Sequence, residues 1–255
     1  MTHPSSSKRK ISDYKGYDYK KDFWDSGTRE YENRCEHKTI QKILKKLNPE
    51  SITDIGCGFG RLYPTYSQFG KSWILLDYAH HLLKQASQSN LNPNTTLVSG
   101  SFYDIPIAKE TTDCVLSIRT MHHMTDPERF FQEAWQILRY NGHLIIEIPN
   151  KRHIKNILKA LPKIFTHPKS FFELFSDTPL KLNDSFYNFN PTTIIHLLKK
   201  NNFKIEKTIN TSFFRSVFLK KRITPEKLTK LDMIGQSILS WIYITPSIYV
   251  ICKKK

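Results

Sequence analysis

The sequence predicts an α/β fold in which helices cover both faces of a mostly parallel β-sheet. From residue 51 to residue 148, short strand patterns alternate with helical patterns, as they do in βαβ units. The strand patterns are apolar throughout, which is expected of strands that are buried on both faces. A glycine-rich turn, GCGFG at residues 56–60, joins the first strand of this series to the next helix. In such a sheet, a ligand is expected beyond the carboxyl ends of the strands.

Local signals mark the elements of this alternating part. A helix over 29–48 carries apolar residues at helical spacing and ends before Pro49, because a residue that precedes proline disfavours the helical conformation. Asp126 is suited to cap a helix that begins at Pro127. The predicted elements are, in order, strand 51–55, helix 61–69, strand 72–76, helix 79–88, strands 96–99 and 113–118, helix 127–139 and strand 143–148.

Residues 151–190 interrupt the alternation and form a predicted insert. Its first part, 153–165, is a basic amphipathic segment, and an aromatic cluster of Phe171, Phe172 and Phe175 follows. Beyond the insert, the patterns return to the alternation of helices and strands. The elements predicted there are helix 191–201, strand 203–209, helix 225–241 and a closing strand at 247–252.

The length and composition are those of a globular protein. The 255 residues are enough for one α/β domain, which we place at 29–255, behind a partly disordered N-terminal arm at 1–28. No run of 18 apolar residues predicts a membrane span, and the first 15 residues lack the apolar core of a secretory signal. The four cysteines have neither metal-finger nor redox-pair spacing, so we expect no metal site and a cytoplasmic location. Peripheral contact with a membrane surface is an alternative within that location.

The net charge of +16 is concentrated in the second part of the chain. Residues 1–150 hold 19 Lys and Arg against 17 Asp and Glu, whereas residues 151–255 hold 20 against 6. Such a region favours an anionic partner, for example RNA, a lipid head group or a phosphorylated metabolite. A compositional bias toward Lys, Asn and Ile explains the charge equally well. Two basic groups stand out, namely Lys151, Arg152, Lys155 and Lys159, and then Lys220, Lys221 and Arg222.

The glycine-rich turn and an acidic residue after the second strand predict a nucleotide-type ligand. Glycines at alternate positions let the backbone turn tightly and approach a ligand closely, and the next helix begins with free N–H groups. The spacing GxGxG differs from the GxGxxG of dinucleotide-binding proteins, and no Lys-Ser/Thr pair follows, as a P-loop would require. Asp77 ends the second strand, 21 residues after Gly56, where a carboxylate can accept hydrogen bonds from ribose hydroxyls.

These features resemble a known family. The run ITDIGCGFGRL at residues 52–62, Asp77, the GSFYDIP segment at 100–106 and the pair His122-His123 are similar to motifs of the class I S-adenosylmethionine-dependent methyltransferases, in particular the type-11 group. The resemblance covers residues 29–150 well and residues 191–255 only as a pattern of elements. It implies a Rossmann-like fold with a seven-stranded sheet, in which the last strand runs antiparallel between the fifth and the sixth.

The resemblance also implies roles for individual residues. The glycine loop is expected around the methionine part of S-adenosylmethionine, Asp77 at the ribose, and Arg29 at the cofactor carboxylate. Ser101 stands where the family usually has an acidic residue that accepts from the adenine amino group, so a neutral hydrogen bond is expected there. The implied cofactor-binding residues are Arg29, Asp54, Gly56, Cys57, Gly58, Gly60, Asp77, Tyr78, Ser101, Phe102 and Ile118.

His122 and His123 are the candidate catalytic residues. An imidazole titrates near neutral pH and can remove a proton from a hydroxyl or acidic carbon nucleophile. The alternative is that these histidines pack structurally, because many methyl transfers need little beyond proximity and in-line orientation.

By this resemblance, the expected function is direct in-line methyl transfer from S-adenosylmethionine to a small-molecule or lipid-like acceptor. The insert at 151–190 would shape the acceptor pocket, and the aromatic arm would close over the cofactor as a lid. Two alternatives stay open. The basic C-terminal part would suit a methyltransferase that acts on tRNA or rRNA, and the departure at Ser101 would suit a cofactor-binding partner subunit without catalysis.

Overall fold

A seven-stranded sheet forms the centre of the molecule in this computed structural model, which describes residues 20, 24, 27–183, 186–239 and 242–255. The strands are, in chain order, β1 (Ser51–Ile55), β2 (Ser72–Asp77), β3 (Thr95–Ser99), β4 (Thr112–Ser117), β5 (Leu138–Pro149), β6 (Leu180–Asn183), β7 (Phe186–Asn188), β8 (Phe203–Thr211) and β9 (Ser247–Lys254). The strands β6 and β7 pair as a separate hairpin, and the others belong to the central sheet.

The strand order in the sheet is β3-β2-β1-β4-β5-β9-β8. The strands β1 to β5 pair in parallel, whereas β9 runs antiparallel between β5 and β8. This topology confirms the predicted Rossmann-like fold, including the position of the last strand. The order reverses between β1 and β4, and a crevice is expected beyond the carboxyl ends of these two strands.

Helices cover both faces of the sheet. Their bounds are α1 (Glu30–Leu47), α2 (Tyr63–Tyr66), α3 (His80–Ser87), α4 (Pro127–Ile137), α5 (Ile154–Ala160), α6 (Pro168–Phe172), α7 (Pro191–Lys200), α8 (Val217–Arg222) and α9 (Pro225–Ile238). One buried apolar cluster joins α4 and α7 to the sheet, and a second joins α1 and α3 to it. Along β9, Ile248 and Val250 belong to the first cluster, whereas Tyr249 and Ile251 belong to the second. This burial on both faces explains why the strands are apolar throughout.

Most predicted elements lie within two residues of their predicted bounds, and the exceptions have local causes. The helix predicted over 61–69 is only the short α2, because successive turns that close at Gly60 and Tyr63 take up the residues before it. The helical segment expected over 153–165 is α5 followed by a turn of 3₁₀ helix, because Pro162 lacks the N–H that an α-helix requires there. Strand β5 begins five residues earlier than predicted and pairs Leu138 with Thr112.

The sequence patterns missed the β6-β7 hairpin in the insert and the short helix α8. The predicted arm at 1–28 falls outside the described residues, apart from Lys20, Trp24 and the residues from Gly27 onward. In the part of the chain that the structure describes, no helix has the length and apolar character needed to cross a membrane.

Lys151 fastens the insert to the end of β5. We predicted Lys151 as part of an exposed basic group, and this was wrong, because its side chain is only 1% exposed. Its ammonium group donates to the carbonyl oxygens of Glu173 (2.8 Å) and Thr178 (2.7 Å) and to the hydroxyl of Ser176 (3.2 Å). These three acceptors compensate for burial of the charge and hold the segment before β6.

A buried polar contact fastens α1 to α9. The Tyr31 hydroxyl donates to Asp232 Oδ2 (2.5 Å) and accepts from the backbone N–H of Phe214 (3.0 Å). Gln236 donates to the other carboxylate oxygen of Asp232 at 3.0 Å. Burial raises the pKa of Tyr31, and the charge of Asp232 raises it further, so the hydroxyl keeps the proton that it donates.

Removing this hydroxyl should destabilise the fold. Tyr31→Phe leaves the N–H of Phe214 and one oxygen of Asp232 without this partner in a buried place, and the free energy of unfolding should fall by about 1–3 kcal/mol. Urea denaturation followed by fluorescence measures the difference. Tyr140→Phe is the matched control, because Tyr140 is exposed, and it should leave the midpoint unchanged. Equal midpoints for the wild type and Tyr31→Phe would contradict the role given to this contact.

Candidate active site

The loop between β1 and α2 depends on its glycines. The N–H groups of Gly56 and Cys57 both donate to the Leu76 carbonyl, at 2.8 and 3.1 Å, which holds the loop against the end of β2. Gly56 has a φ of 78°, and a Cβ at this position would overlap the side chain of Thr120. Gly58 has a φ of 58°, but no atom lies within 4 Å of the place its Cβ would take. Packing therefore requires Gly56, whereas Gly58 leaves the backbone open to a ligand.

Asp77 connects the end of β2 to this loop. Its Oδ2 accepts a hydrogen bond from the N–H of Gly58 (2.7 Å), and its Oδ1 accepts one from the N–H of Ala79 (2.8 Å). Burial raises the pKa of Asp77, and these two backbone donors act in the opposite direction. Each oxygen keeps a further lone pair, so the carboxylate can still accept from a ligand hydroxyl.

Asp54 is a buried carboxyl group at the end of β1. Burial raises the pKa of Asp54 to about 7; the charge of Asp77 raises it further, whereas the Tyr66 hydroxyl and Arg61 act in the opposite direction. A group with this pKa is neutral in part and ionised in part at physiological pH. A cation that enters the site would favour the ionised form.

Two arginines meet at one carboxylate beside the glycine loop. Glu36 is buried on α1, and its two oxygens bind Arg61 Nη2 (2.5 Å) and Arg119 Nη1 (3.2 Å). Arg61 also donates to Asn33 Oδ1 at 2.6 Å. Burial alone raises the pKa of Glu36, but Arg61, Arg119 and Arg215 outweigh it and hold this pKa below its ordinary value. At neutral pH Glu36 is therefore a charged anchor for both guanidinium groups.

The surroundings of Arg119 fix its position at the carboxyl end of β4. Its backbone has a positive φ of 59°, and its N–H donates to Glu147 Oε2 at 3.2 Å. Ser247 donates to the other oxygen of Glu147 (2.5 Å) and accepts from Arg215 (2.8 Å). This chain of contacts links the ends of β4, β5 and β9.

An open cleft lies between the glycine loop and the end of β4. It encloses about 380 Å³ of empty space, including the part that is open to solvent. The indole ring of Trp24, from the predicted arm, stacks on Arg61 with its centroid 3.8 Å from the guanidinium carbon. The residues that line the cleft are Asp54, Gly56, Cys57, Gly58, Phe59, Arg61, Leu62, Ile118 and Arg119.

His122 and His123 lie in a turn of 3₁₀ helix just beyond Arg119. The two imidazole rings are 4.1 Å apart, and His122 stacks on Phe186 of the insert at 5.0 Å and an interplanar angle of 9°. Burial lowers the pKa of His122 well below its ordinary value, and the neighbouring His123 and Arg119 lower it further. At neutral pH this imidazole is therefore uncharged, and it accepts a proton less readily than an ordinary histidine does.

Five of the predicted cofactor-binding residues lie on the cleft itself, namely Asp54, Gly56, Cys57, Gly58 and Ile118. Asp77 reaches it through its bond to Gly58. The side chain of Tyr78 is 55% exposed at the end of β2. The Ser101 hydroxyl accepts from the N–H of Tyr103 at 3.1 Å, and Phe102 packs against the first apolar cluster.

Two further predicted residues lie apart from the cleft lining. Gly60 has a φ of 77° and faces Ala86 and Leu75 rather than the open space. Arg29 precedes α1 and is not among the residues that line the cleft, where Arg61 and Arg119 supply the guanidinium groups. Among the described residues, no group of three or more His, Cys, Asp or Glu side chains is arranged to hold a metal ion.

Comparison with known proteins identifies the domain. Residues 53–146, which include the glycine loop, Asp77 and both histidines, match the family model of a methyltransferase domain. This segment is a type-11 methyltransferase domain. The predicted resemblance to class I S-adenosylmethionine-dependent methyltransferases is thereby confirmed.

Several relatives share this methyltransferase domain. A probable S-adenosylmethionine-dependent methyltransferase of Mycobacterium tuberculosis is 22% identical over 116 residues, which are 45% of this chain and 42% of the relative. The 2-methyl-6-phytyl-1,4-hydroquinone methyltransferase 2 of Oryza sativa is 26% identical over 104 residues, 41% of this chain and 24% of the relative. The chain thus spans less than half the length of either relative.

The similarity to solved structures extends beyond the matched segment. A structure from Thermotoga maritima, described as an S-adenosylmethionine-dependent methyltransferase and possible histamine N-methyltransferase, has a TM-score of 0.58. The two chains are 18% identical, and the match covers 93% of this chain and 98% of the other. At this identity the comparison shows a shared fold.

The cleft of the methyltransferase domain has the donor set that S-adenosylmethionine requires. Two guanidinium groups and the Asp54 carboxyl line the cleft, and their charges complement a carboxylate and an ammonium group, respectively. Gly58 leaves the backbone open, and Asp77 presents lone pairs at the end of β2. The chemistry of the cofactor's amino-acid part therefore matches the residues present.

The sequence analysis did not assign Glu36, Arg61 or Arg119 to the site. Arg61 directly follows the glycine loop, and Arg119 ends the fourth strand, so both positions pointed to the cleft. Glu36 falls on the apolar stripe of α1, four residues before Ile40 and seven before Ile43. A charged residue on a buried stripe requires a partner, and this was the signal that could have found it.

Removal of the Glu36 charge should destabilise the protein strongly. Glu36→Gln leaves Arg61 and Arg119 without their shared counter-ion, and the free energy of unfolding at pH 7 should fall by about 3–5 kcal/mol. Because the pKa of Glu36 is lowered in the fold, this contribution is present above the ordinary glutamate pKa and is lost as the pH falls through the lowered one. The difference between the two proteins should therefore shrink in acid.

Chemical denaturation at neutral and acidic pH measures both effects of Glu36→Gln. Glu50→Gln is the matched control, because Glu50 forms an exposed ion pair with Lys71, and its removal should leave the midpoint unchanged within error. A Glu36→Gln protein as stable as the control at pH 7 would refute the anchoring role.

Proposed function

We propose that this protein transfers a methyl group from S-adenosylmethionine to a small apolar or lipid-like acceptor by direct in-line displacement. The observation that carries the proposal is the cleft in which Asp54 and two anchored arginines surround the open backbone at Gly58. The bound cofactor supplies a methyl group that its sulfonium already activates. The protein then needs to bind, orient and exclude water.

The residues of the cleft divide this work between them. Arg61 and Arg119, held by Glu36, would bind the carboxylate, and the ionised Asp54 would accept from the ammonium group. Asp77 would accept from the ribose hydroxyls while it keeps the glycine loop in place through Gly58. Trp24 stacks on Arg61, which supports the proposal that the arm at 1–28 closes over this site as a lid.

The acceptor side would be formed by the two histidines and the insert. The stacked rings of His122 and Phe186 make a flat, largely apolar surface next to Arg119. His122 and His123 are the candidates to accept a proton from an acceptor hydroxyl or acidic carbon as the new bond forms, and the lowered pKa makes His122 a weaker base than an ordinary histidine. One relative acts on a phytyl-substituted hydroquinone, as its name states, which is consistent with an apolar acceptor that carries a hydroxyl group.

Part of the second basic group contacts other residues of the protein, which disfavours the RNA alternative. In the second basic group, Lys220 binds Glu32 at 2.8 Å and the Thr28 carbonyl at 2.8 Å, and Arg222 stacks on Phe218 at 3.7 Å. These side chains have partners within the protein. The acceptor proposed here is therefore a small or lipid-like molecule rather than tRNA or rRNA.

Calorimetric titration with S-adenosylhomocysteine and S-adenosylmethionine tests the cofactor site directly. The wild type should bind both, and Asp77→Ala should weaken binding at least tenfold, because ribose contacts and the loop position are lost together. Glu50→Ala is the control, because Glu50 is exposed before β1, at the end of the strand away from the cleft, and should bind like the wild type. Absence of binding to either ligand by the folded wild type would refute the proposed function, whereas binding without turnover on any acceptor would favour the non-catalytic partner subunit.

Cofactor affinity should depend on pH through Asp54. With a pKa near 7, this carboxyl is mostly neutral at pH 6 and mostly ionised at pH 8. Affinity for S-adenosylhomocysteine should therefore rise about tenfold between these two values. Asp54→Asn should bind S-adenosylhomocysteine more weakly at pH 8, and its affinity should not rise between pH 6 and pH 8. The titration of the ligand itself affects both proteins equally, so it cancels when the two pH profiles are compared.

Stability gives an independent check on the same group. The raised pKa of Asp54 means that the protein loses stability as the pH rises from about 4 to 7, because the unfolded chain releases this proton near pH 4 whereas the folded protein keeps it until about pH 7. Asp54→Asn removes this loss, so the ligand-free variant should be at least as stable as the wild type at pH 8. A parallel pH profile of affinity in both proteins would contradict the role given to Asp54.

A further inference from the structure

The insert presents apolar side chains to solvent on the segment that runs from α5 to α6. Ile154 and Leu158 lie one helical turn apart, so they share a face of α5, and Leu161 extends this face into the next turn. Phe165 is 93% exposed, which is unusual for an aromatic residue. The exposed apolar residues of this segment, called here the insert face, are Ile154, Leu158, Leu161, Phe165 and Phe172.

Four lysines flank the insert face, and the one carboxylate next to it is Glu173, which follows Phe172 at its end. Lys155 and Lys159 follow the apolar residues by one position and therefore lie beside them on α5, and Lys163 and Lys169 continue the series. All four are exposed, and within the described part of the chain none forms an ion pair. The sequence contains no Asp or Glu between Glu147 and Glu173. From Ile154 to Lys169 the face is thus both apolar and positively charged.

The insert face belongs to the same end of the molecule as the cleft. The helix α5 starts five residues after β5 ends, and the N–H of Ile154 donates to the carbonyl of Ile244 just before β9. The same insert carries Phe186, which stacks on His122. A surface that binds the insert face would therefore lie close to the acceptor side of the site.

A second exposed apolar stripe lacks this charge pattern. Leu231, Ile234 and Ile238 are exposed on α9, but Lys230 on that helix is neutralised by an ion pair with Glu226 at 2.8 Å. The insert face carries four exposed lysines without an ion pair, whereas the described part of α9 carries one, Lys227. Apolar residues flanked by lysines are the pattern of a segment that lies in the interface of an anionic bilayer.

We propose that the insert face docks the protein on an anionic membrane surface, with its apolar side chains in the head-group boundary and its lysines on lipid phosphates. The purpose of this docking rests on the proposed function, because it would bring a lipid-like acceptor to the site without passage through water. The docking itself requires only the insert face. Binding should weaken with salt, since exposed lysines are screened.

Vesicle flotation of the full chain tests this proposal. The wild type should float with vesicles that contain phosphatidylcholine and phosphatidylglycerol, and at least tenfold less with phosphatidylcholine alone or in high salt. Leu158→Glu should reduce flotation at least tenfold, whereas Ile234→Glu should not, and the two side chains are matched at 57% and 58% exposure. Likewise, K155E/K159E should lose binding about tenfold or more, and K45E/K46E on α1 should retain it.

Three outcomes would overturn the proposal. In the first, the wild type does not float with anionic vesicles. In the second, Ile234→Glu loses flotation whereas Leu158→Glu retains it. In the third, K155E/K159E floats as the wild type does. Specific RNA binding that K155E/K159E abolishes, without flotation, would identify RNA as the partner instead. Titration of each variant with S-adenosylhomocysteine separates this result from the proposed function. Flotation without cofactor binding would refute the proposed function alone, and cofactor binding without flotation would refute the docking alone.

Discussion

The cleft beside the glycine loop depends on Glu36, a buried carboxylate that binds two arginines at once. Arg61 follows the loop after β1, and Arg119 follows β4, so the three residues come from segments far apart in the chain. Two guanidinium groups so close together repel each other unless a negative charge lies between them. By supplying that charge, α1 sets the distance between the loop and β4, and with it the opening of the cleft. Both arginines line the cleft that this arrangement leaves open.

Two carboxyl groups in the same region, Glu36 and Asp54, have opposite pKa shifts. The lowered pKa suits a structural role, and the raised pKa suits a role in ligand binding. The pKa of Glu36 is lowered because arginines surround it, so it is charged whenever the protein is folded at neutral pH. The pKa of Asp54 is raised to about 7 because it is buried without a comparable counter-ion. Glu36 therefore serves the fold, whereas Asp54 carries an uncompensated cost that a bound cation relieves. Pairs with opposed shifts are typical of functional sites.

The sequence was sufficient wherever the signal was local. The glycine loop, Asp77 and the cap at Asp126 each depend on neighbouring residues, and the structure has a loop, a strand end and a helix start at these positions. Contacts between distant residues carry no such signal. Arg119 finds Glu36 83 residues away, and Lys151 is buried because the chain returns to it at residues 173–178. The β6-β7 hairpin was missed for a similar reason, since its residues lack a clear alternation of apolar and polar side chains.

The positions of the basic side chains change how the net charge of the second part of the chain is interpreted. Lys151 is buried and Lys220 is bound to Glu32, so these two charges hold parts of the fold together, whereas Arg222 stacks on Phe218 at the surface of α8. Arg152 donates to Asn190 and Thr192 and belongs with them. Fewer basic residues are therefore available to track a nucleic-acid backbone than the sequence alone suggests. What is left exposed on the insert is a narrow group of lysines around apolar side chains, and that combination favours the interface of a membrane over the phosphates of RNA.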